Sequence, residues 1–403
     1  NPVLPVPRAL STMASTGSTA LMCGGYTLLT SGAEEREQKV VLGSTANNSI
    51  VDCWWFTPFP SPRWDVLLLA EGSEGPSARF ATTLSYTGHE ERSVVLFGGE
   101  LSGGQPDNSC WLLQLNAQPE ASPPQATFLR TFQWQTCGPT GANALRPFPR
   151  FGHAAVIFRG ALYIQGGFAS DGIRVQAMDD LWKLQISQTA EEKRAGAPIW
   201  EQVMPKSGKP DPRGFHAAWL SGFKLFLHGG QGPTGVGASA VLEDTWQLDL
   251  YTLSWKRFES SGAVPVASHL SINPSEGAVG VCFGGKSQTG RASGRLYTFN
   301  AIRGWTRVLP AGARPSRRAG HVAIYDEGGE TMTVSFGYDT STLDDTWILH
   351  IPTSRWVCMY GWDSHCTSKP PIPPFGPPKM AFPARETVGL YSFVFGGLVM
   401  EST

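Results

Sequence analysis

Short apolar runs that end in a glycine pair recur along the whole chain: ALMCGG (20–25), VVLFGG (94–99), LYIQGG (162–167), LFLHGG (225–230), GVCFGG (280–285) and FVFGG (393–397), with TVSFGY (333–338) as a degenerate copy. The steps from Gly24 to Gly396 shorten in the second half, which excludes a solenoid of identical small units. A four-stranded unit with loops of variable length accommodates them. Before most pairs an arginine opens an apolar strand: Arg8, Arg79, Arg150, Arg213, Arg318 and Arg385. After the pair comes a loop and then an aromatic strand, DCWWF (52–56), CWLLQL (110–115), DLWKLQI (180–186), DTWQLDL (244–250), RLYTFN (295–300) and DTWILHI (345–351). Trp182, Leu184 and Ile186 alternate with polar residues, as do Trp246, Leu248 and Leu250, and period two marks a strand with a buried face. A fourth strand carries a single tryptophan: Trp64, Trp134, Trp200, Trp255, Trp305 or Trp356. Residues 175–195 have enough helix formers to compete as an amphipathic helix. Their alignment with the other aromatic strands decides for a strand, with a short helix fitting at 188–194.

Composition narrows the function classes. Gly 46 and Pro 31 in 403 residues make the chain turn-rich, while 14 Trp and 21 Phe supply a substantial core, so disorder is excluded. Lys+Arg 32 against Asp+Glu 33 leaves a net charge of −1, which argues against general nucleic-acid binding. No apolar run reaches the roughly 20 residues of a membrane-spanning helix. Seven cysteines (23, 53, 110, 137, 282, 358 and 366) in a long chain are read as reduced intracellular thiols, Cys23, Cys53, Cys110 and Cys282 acting as small core residues. For Cys358 and Cys366, which flank GWDSH, a disulfide or half a metal site is the alternative. The expected location is the cytoplasm. Residues 1–33, with no acid before Glu34, suit the first repeat and also suit a segment targeting a mitochondrion or other organelle.

With these motifs in order, the chain resembles the kelch-repeat β-propeller family, part of the galactose-oxidase-like propeller superfamily. The full pattern stands as Arg150/Gly152/His153, Gly166/Gly167, Asp180/Trp182 and Trp200; as Arg213/His216, Gly229/Gly230, Asp244/Trp246 and Trp255; and, one glycine short, as Arg318/Gly320/His321, Gly337, Asp345/Trp347 and Trp356. The resemblance implies an all-β fold, one kelch-type propeller over 1–403 built of four-stranded antiparallel blades. The units run 8–70, 79–136, 150–204, 213–259, 267–309 and 318–359, with a partial one at 385–403. Closure of an open sheet edge favours seven blades, completed by strands outside this stretch or by residues 1–7. Six blades, with the last half-unit overlapping the first, is the alternative.

The candidate chemistry is mostly structural. His153, His216, His269 and His321 hold comparable positions in successive units, and sheets about 10 Å apart cannot bring four imidazoles to one metal. Gln165 and His228 are polar replacements at positions that are Phe or Cys elsewhere. No catalytic set, metal site or cofactor is expected. The strand-opening arginines are the main site candidates. Loops after the second and fourth strands of a blade emerge on one face, and Arg79, Arg150, Arg213, Arg318 and Arg385 cluster there, able either to receive a partner's carboxylates or to pair with strand aspartates and carbonyls. Two long loops, 26–51 with the charge run Glu34–Glu37 and the proline-rich 357–384, add Tyr360, Trp362 and Phe375 to the partner-binding set. The expected function is a non-catalytic protein-binding propeller, a scaffold or subunit of a larger assembly. The alternatives are the substrate-recognition domain of a ubiquitin ligase or modifying enzyme whose other domains lie outside this chain, and a galactose-oxidase-like metal oxidase.

Overall fold

A computed structural model describes residues 10–16, 18–30, 37–41, 51–58, 60, 63–69, 74–88, 93–114, 130–132, 134–137, 145–170, 174–186, 199–234, 238–258, 279–287, 289–326, 330–360, 384–388 and 391–395. These residues form strands and turns without a helix. They group into two compact units, one of Asn1–Gln176, Asp180–Val203 and Ala384–Phe395, the other of Ala177–Asp179, Met204–Pro383 and Gly396–Thr403.

In the first unit the repeat folds as expected. The strands Thr12–Ser15, Ala20–Cys23, Cys53–Thr57 and Arg63–Leu69 pair in chain order, antiparallel throughout. Thr83–Tyr86, Ser93–Phe97, Cys110–Gln114 and Trp134–Thr136 make a second blade, and Ala154–Phe158, Ala161–Gln165, Leu181–Gln185 and Trp200–Val203 a third. The segment read as an ambiguous helix thus supplies Val175–Ala177 and Leu181–Gln185 as strands; 188–194 lies outside the described residues. One pairing was not legible: Arg130–Phe132 joins the outer strand of the first blade in parallel, Arg130 opposite Leu67, and covers its free edge.

In the second unit Ala217–Ser221, Lys224–His228, Thr245–Asp249 and Ser254–Phe258 make one blade, and Val322–Asp326, Thr331–Ser335, Thr346–His350 and Arg355–Tyr360 another. Between them in sequence, Val279–Phe283, Leu296–Asn300 and Gly304–Val308 form three strands of a blade. Position 269 and its neighbours are outside the described residues.

The core is a series of slabs between neighbouring blades. Side chains of successive residues in a strand point to opposite faces. Val94 and Leu96 therefore pack with Leu21, Cys53 and Trp55 of the blade before, while Val95 and Phe97 pack with Leu162, Ile164 and Trp182 of the blade after. In the second unit Cys282 faces Phe226 and Trp219, whereas Val281 and Phe283 face Val334, Trp347 and Trp356. This explains why the second strands are uninterrupted apolar runs rather than alternating ones: Ser93–Phe97 and Ala161–Gln165 are buried at every position.

The strand Ala384–Val388 pairs with Tyr391–Phe395 and lies beside Thr12–Ser15, as Thr83–Tyr86 lies beside Thr12–Ser15 and Ala154–Phe158 beside Thr83–Tyr86. The segment expected as a loop from 26 to 51 contains a hairpin, Tyr26–Thr30 against Glu37–Val41. Of the loop 357–384, residues 357–360 continue the strand Arg355–Tyr360.

Candidate interaction surface

The repeated arginines come first because the sequence singled them out. Arg79–Phe80 pairs with Glu100–Leu101, and Arg150–Phe151 with Phe168–Ala169, the residues just past the glycine pairs, while isolated bridges of Gly214 with Gln231 and Ala319 with Tyr338 stand in the same place beside Arg213 and Arg318. That pairing places the guanidinium under the glycine pair of its own blade. Arg150 donates from Nη1 to Gly166 O (2.9 Å) and from Nε to Phe148 O (3.0 Å), and grips Asp180 through two bonds of 2.7 and 2.8 Å. Trp182 Nε1 donates to the same carboxylate at 2.6 Å. Arg213 repeats the set with Gly229 O, Asp244 and Trp246, and Arg318 with Phe336 O, Asp345 and Trp347. Arg79 makes a looser version, with one bond of 2.6 Å to Asp107, whose carboxylate also takes a bond from Ser109 Oγ. The Arg, the glycine pair, the Asp and the Trp of the sequence pattern are thus one staple, closed within a blade.

This corrects the site assignment for four residues. Arg79, Arg150, Arg213 and Arg318 are 0–2% exposed, with their donors turned inward and spent on contacts within the blades. Burial alone would raise the carboxyls of Asp107, Asp180 and Asp244, but the bonds and charge from Arg79, Arg150 and Arg213 outweigh it and leave all three below the ordinary range. The backbones of Arg385 and Tyr360 are strand residues, while Trp362 and Phe375 lie outside the described residues.

The histidines are also part of the framework. His153 shares a 2.8 Å hydrogen bond between Nε2 and Thr83 Oγ1. His228, fully enclosed, bonds Thr245 Oγ1 through Nδ1 at 2.7 Å, and Trp305 Nε1 donates to the same hydroxyl at 2.7 Å. Desolvation lowers His228 to about 3 and His216 to about 3, with Arg213 pushing the same way in both and Asp244 opposing. His216 keeps some residue exposure, yet both its ring nitrogens are enclosed and without a hydrogen-bond partner. Gln165 is 2% exposed, and its amide oxygen and nitrogen are unpartnered. Among the described residues no group of three or more His, Cys, Asp or Glu is placed to hold a metal ion.

The cysteines overturn the reduced-thiol reading. Cys23 and Cys53, directly opposite in register, form a disulfide, and Cys110 and Cys137 form a second. Cys358 is disulfide-bonded as well, as its alternative reading allowed, while Cys282 is a buried free thiol whose pKa burial pushes up. Small apolar cysteines in adjacent strands satisfy a core pattern and a disulfide equally well, so their positions in strands did not discriminate.

Among the described residues, the second- and fourth-strand loops of the second unit hold a cleft of about 540 Å³. Its walls come from the entry to Leu296–Asn300, the end of Gly304–Val308 with the connection that follows it, and Asp339 in the next blade. Arg295, Arg307, Arg314 and Arg317 line it, with the single carboxylate Asp339 held by Arg317 Nε at 2.5 Å. None of these arginines belongs to the repeat. A signal was present nonetheless: between Arg291 and Arg318 the chain has seven arginines and no acidic residue.

Four-stranded antiparallel blades, cores sandwiched between them and a buried Arg–Asp–Trp staple repeated in three of the blades define a propeller of repeated blades. Family models agree. The KLHDC2/KLHL20/DRC7 Kelch-repeats domain matches residues 10–273, and the Attractin/LZTR1 beta-propeller matches residues 193–402. The chain belongs to the kelch-repeat β-propellers. Among curated relatives it is similar to human Host cell factor 2 (27% identical, 57% of this chain and 30% of that protein). It is also similar to Putative adagio-like protein 2 of Oryza sativa subsp. japonica (28% identical, 59% of this chain and 36% of that protein). Human Multiple epidermal growth factor-like domains protein 8 is 24% identical over 86% of this chain and 13% of that protein. The chain therefore spans little more than a third of the length of these relatives at most.

Proposed function

We propose that the chain is a non-catalytic protein-interaction module, a propeller that presents its second- and fourth-strand loop face to a partner within a larger assembly. The observation that supports this reading is a division of labour among the arginines. Arg79, Arg150, Arg213 and Arg318 are spent on holding blades, while non-repeated ones are exposed on that loop face around a cleft. Seven blades, with Ala384–Phe395 beside the first, and one propeller over 1–403 belong to the same proposal, as does any contribution of Arg385, Tyr360, Trp362 and Phe375 to the face. Substrate recognition on behalf of a ligase or modifying enzyme is a special case of it. Native capture followed by cross-linking and mass spectrometry tests it. Stoichiometric partners cross-linked to the loop face are expected; cross-links confined to other surfaces, or a chain that stays alone, would overturn it.

The disulfides support a reading of the compartment. Bonds at Cys23–Cys53, Cys110–Cys137 and Cys358 require an oxidising environment to form and persist. We propose that this chain works in one. Maleimide labelling of the unreduced, denatured native protein should modify Cys282 and spare those five cysteines; labelling of all five would refute it. No described helix is long and apolar enough to cross a membrane.

A further inference from the structure

We infer that the arginine-lined cleft beside Leu309 is the docking site for an acidic peptide segment, one that carries an apolar side chain among its carboxylates. This rests on the reading of the chain as a protein-interaction module and names the class of its partner.

The charge at the cleft is local and unbalanced. The whole chain is close to neutral, yet four arginines face one carboxylate here. Two of the four are partly compensated: Arg317 holds Asp339, and Arg295 lies near enough to Glu243 to stabilise its charged form. Among the described residues Arg307 and Arg314 make no ion pair, and both are exposed. A guanidinium offers planar paired donors that match a carboxylate, so the unspent pair defines what is missing.

The wall beside these charges is apolar. Leu309 is 74% exposed and is followed by Pro310 in the same lining. An exposed leucine between arginines contributes little to the fold, but a partner's apolar side chain could bury it. That combination favours a peptide over a sulfated polysaccharide, which would use the arginines and leave the leucine wet. The volume is that of a pocket for a few side chains rather than of a broad domain interface.

The site is also held in shape before any ligand arrives. A Cβ on Gly294 would stand 3.3 Å from Arg317 Cα, so the glycine lets the connection carrying Arg317 press against the neighbouring strand entry. Arg307 projects from a paired strand, opposite Tyr297 in register. Pro310 and Pro315 stiffen the connection between Arg307 and Arg317. Less conformational entropy is then lost on binding.

The test is panning of a phage-displayed library of short random peptides on the intact chain, then fluorescence anisotropy with synthetic copies of the enriched sequences. Enriched peptides should be rich in Asp and Glu with at least one large apolar residue. Their binding should weaken as salt is raised, and fall roughly tenfold or more in Arg307→Glu/Arg314→Glu, with a smaller loss in Arg307→Gln/Arg314→Gln. Both variants should melt with the parent protein, because these arginines are exposed. Enriched peptides without acidic bias, or acidic peptides that bind parent and variants equally, would overturn the inference. So would heparin oligosaccharides that bind in an Arg307- and Arg314-dependent way while no peptide does, which would assign the cleft to a polyanionic glycan. If native partners are captured equally by parent and Arg307→Glu/Arg314→Glu, the interaction-module reading stands and this cleft is not its site.

Discussion

Replacing the staple aspartates by asparagine gives a graded test of how the blades are held. In Asp345→Asn the shape is kept, but Arg318, 0% exposed, loses the negative partner that now accepts bonds of 2.6 and 2.7 Å. Removing one member of a buried pair costs about 3–5 kcal/mol, because the remaining charge stays desolvated. Asp345 is itself 1% exposed, so the upper part of that range applies. Asp180 and Asp244, at 9% and 8%, should lose about 3 kcal/mol on the same grounds. Asp107 is 23% exposed and is gripped by one bond, so water can replace part of what is lost and about 1–2 kcal/mol is expected. Urea titrations followed by tryptophan fluorescence, with thermal melts by circular dichroism, would measure the series. A loss of about 4 kcal/mol corresponds to a fall of roughly 10 °C for a unit of this size. The order should be Asp345 above Asp180 and Asp244, and those above Asp107. The double variant Arg318→Met/Asp345→Leu should lose less than the sum of its single variants, since it leaves no orphaned charge. Losses below about 1 kcal/mol throughout, or Asp107→Asn as the worst of the four, would refute the staple as the origin of blade stability.

Other consequences are open to simple measurements. His216 and His228 are neutral in the fold with pKa values of about 3, so unfolding takes up a proton at each as pH falls below the ordinary value near 6.5. Their contribution is complete above that pH and declines towards pH 3, by about 1.4 kcal/mol per pH unit per histidine. The depressed carboxyls of Asp107, Asp180 and Asp244 add a further loss only below about pH 4. Urea midpoints that stay flat from pH 7 to about 5 would contradict the buried neutral histidines. Reduction of the Cys23–Cys53 and Cys110–Cys137 bonds, which span 30 and 27 residues, should cost about 3–4 kcal/mol each by loop entropy, read as a lower melting temperature in dithiothreitol. An unchanged melt would mean that the native protein lacks them. Phe336→Gly relieves a positive φ of 63° but empties a site where Phe336 is 6% exposed. Strain relief of about 1–2 kcal/mol against about 3–5 kcal/mol of lost burial predicts a net destabilisation of about 2 kcal/mol. A more stable variant would show that the side chain contributes no packing there.

Local chemistry was enough to reveal the repeat. Apolar runs, glycine pairs and aromatic strands are one-dimensional signals: each strand needs its own alternation or burial, and the first glycine of each described pair has a left-handed backbone. Gly98 shows why, with φ at 62° and a would-be Cβ 2.8 Å from Arg150 O. Phe336 occupies the same backbone state at the degenerate copy, which sequence could flag as a departure but not evaluate. The pairing of Arg150, Arg213 and Arg318 with aspartates about thirty residues away was foreseeable as an alternative, since both partners recur in register. Burial settled it. Whether a guanidinium faces water or the interior depends on a short backbone pairing that leaves no periodic trace.

Disulfides and the cleft were beyond the linear pattern for a related reason. A cysteine on a strand is apolar whether or not another stands across from it, and only the register of Ala20–Cys23 against Cys53–Thr57 sets Cys23 opposite Cys53. Arg295, Arg307, Arg314 and Arg317 likewise follow no repeat; a strand entry, a strand end and a loop between blades gather them around Leu309. The repeating requirements of strand, turn and staple are short-range, so they are written at every copy. An interaction site is made from residues at which the copies differ, and strand pairing and blade packing bring those residues together.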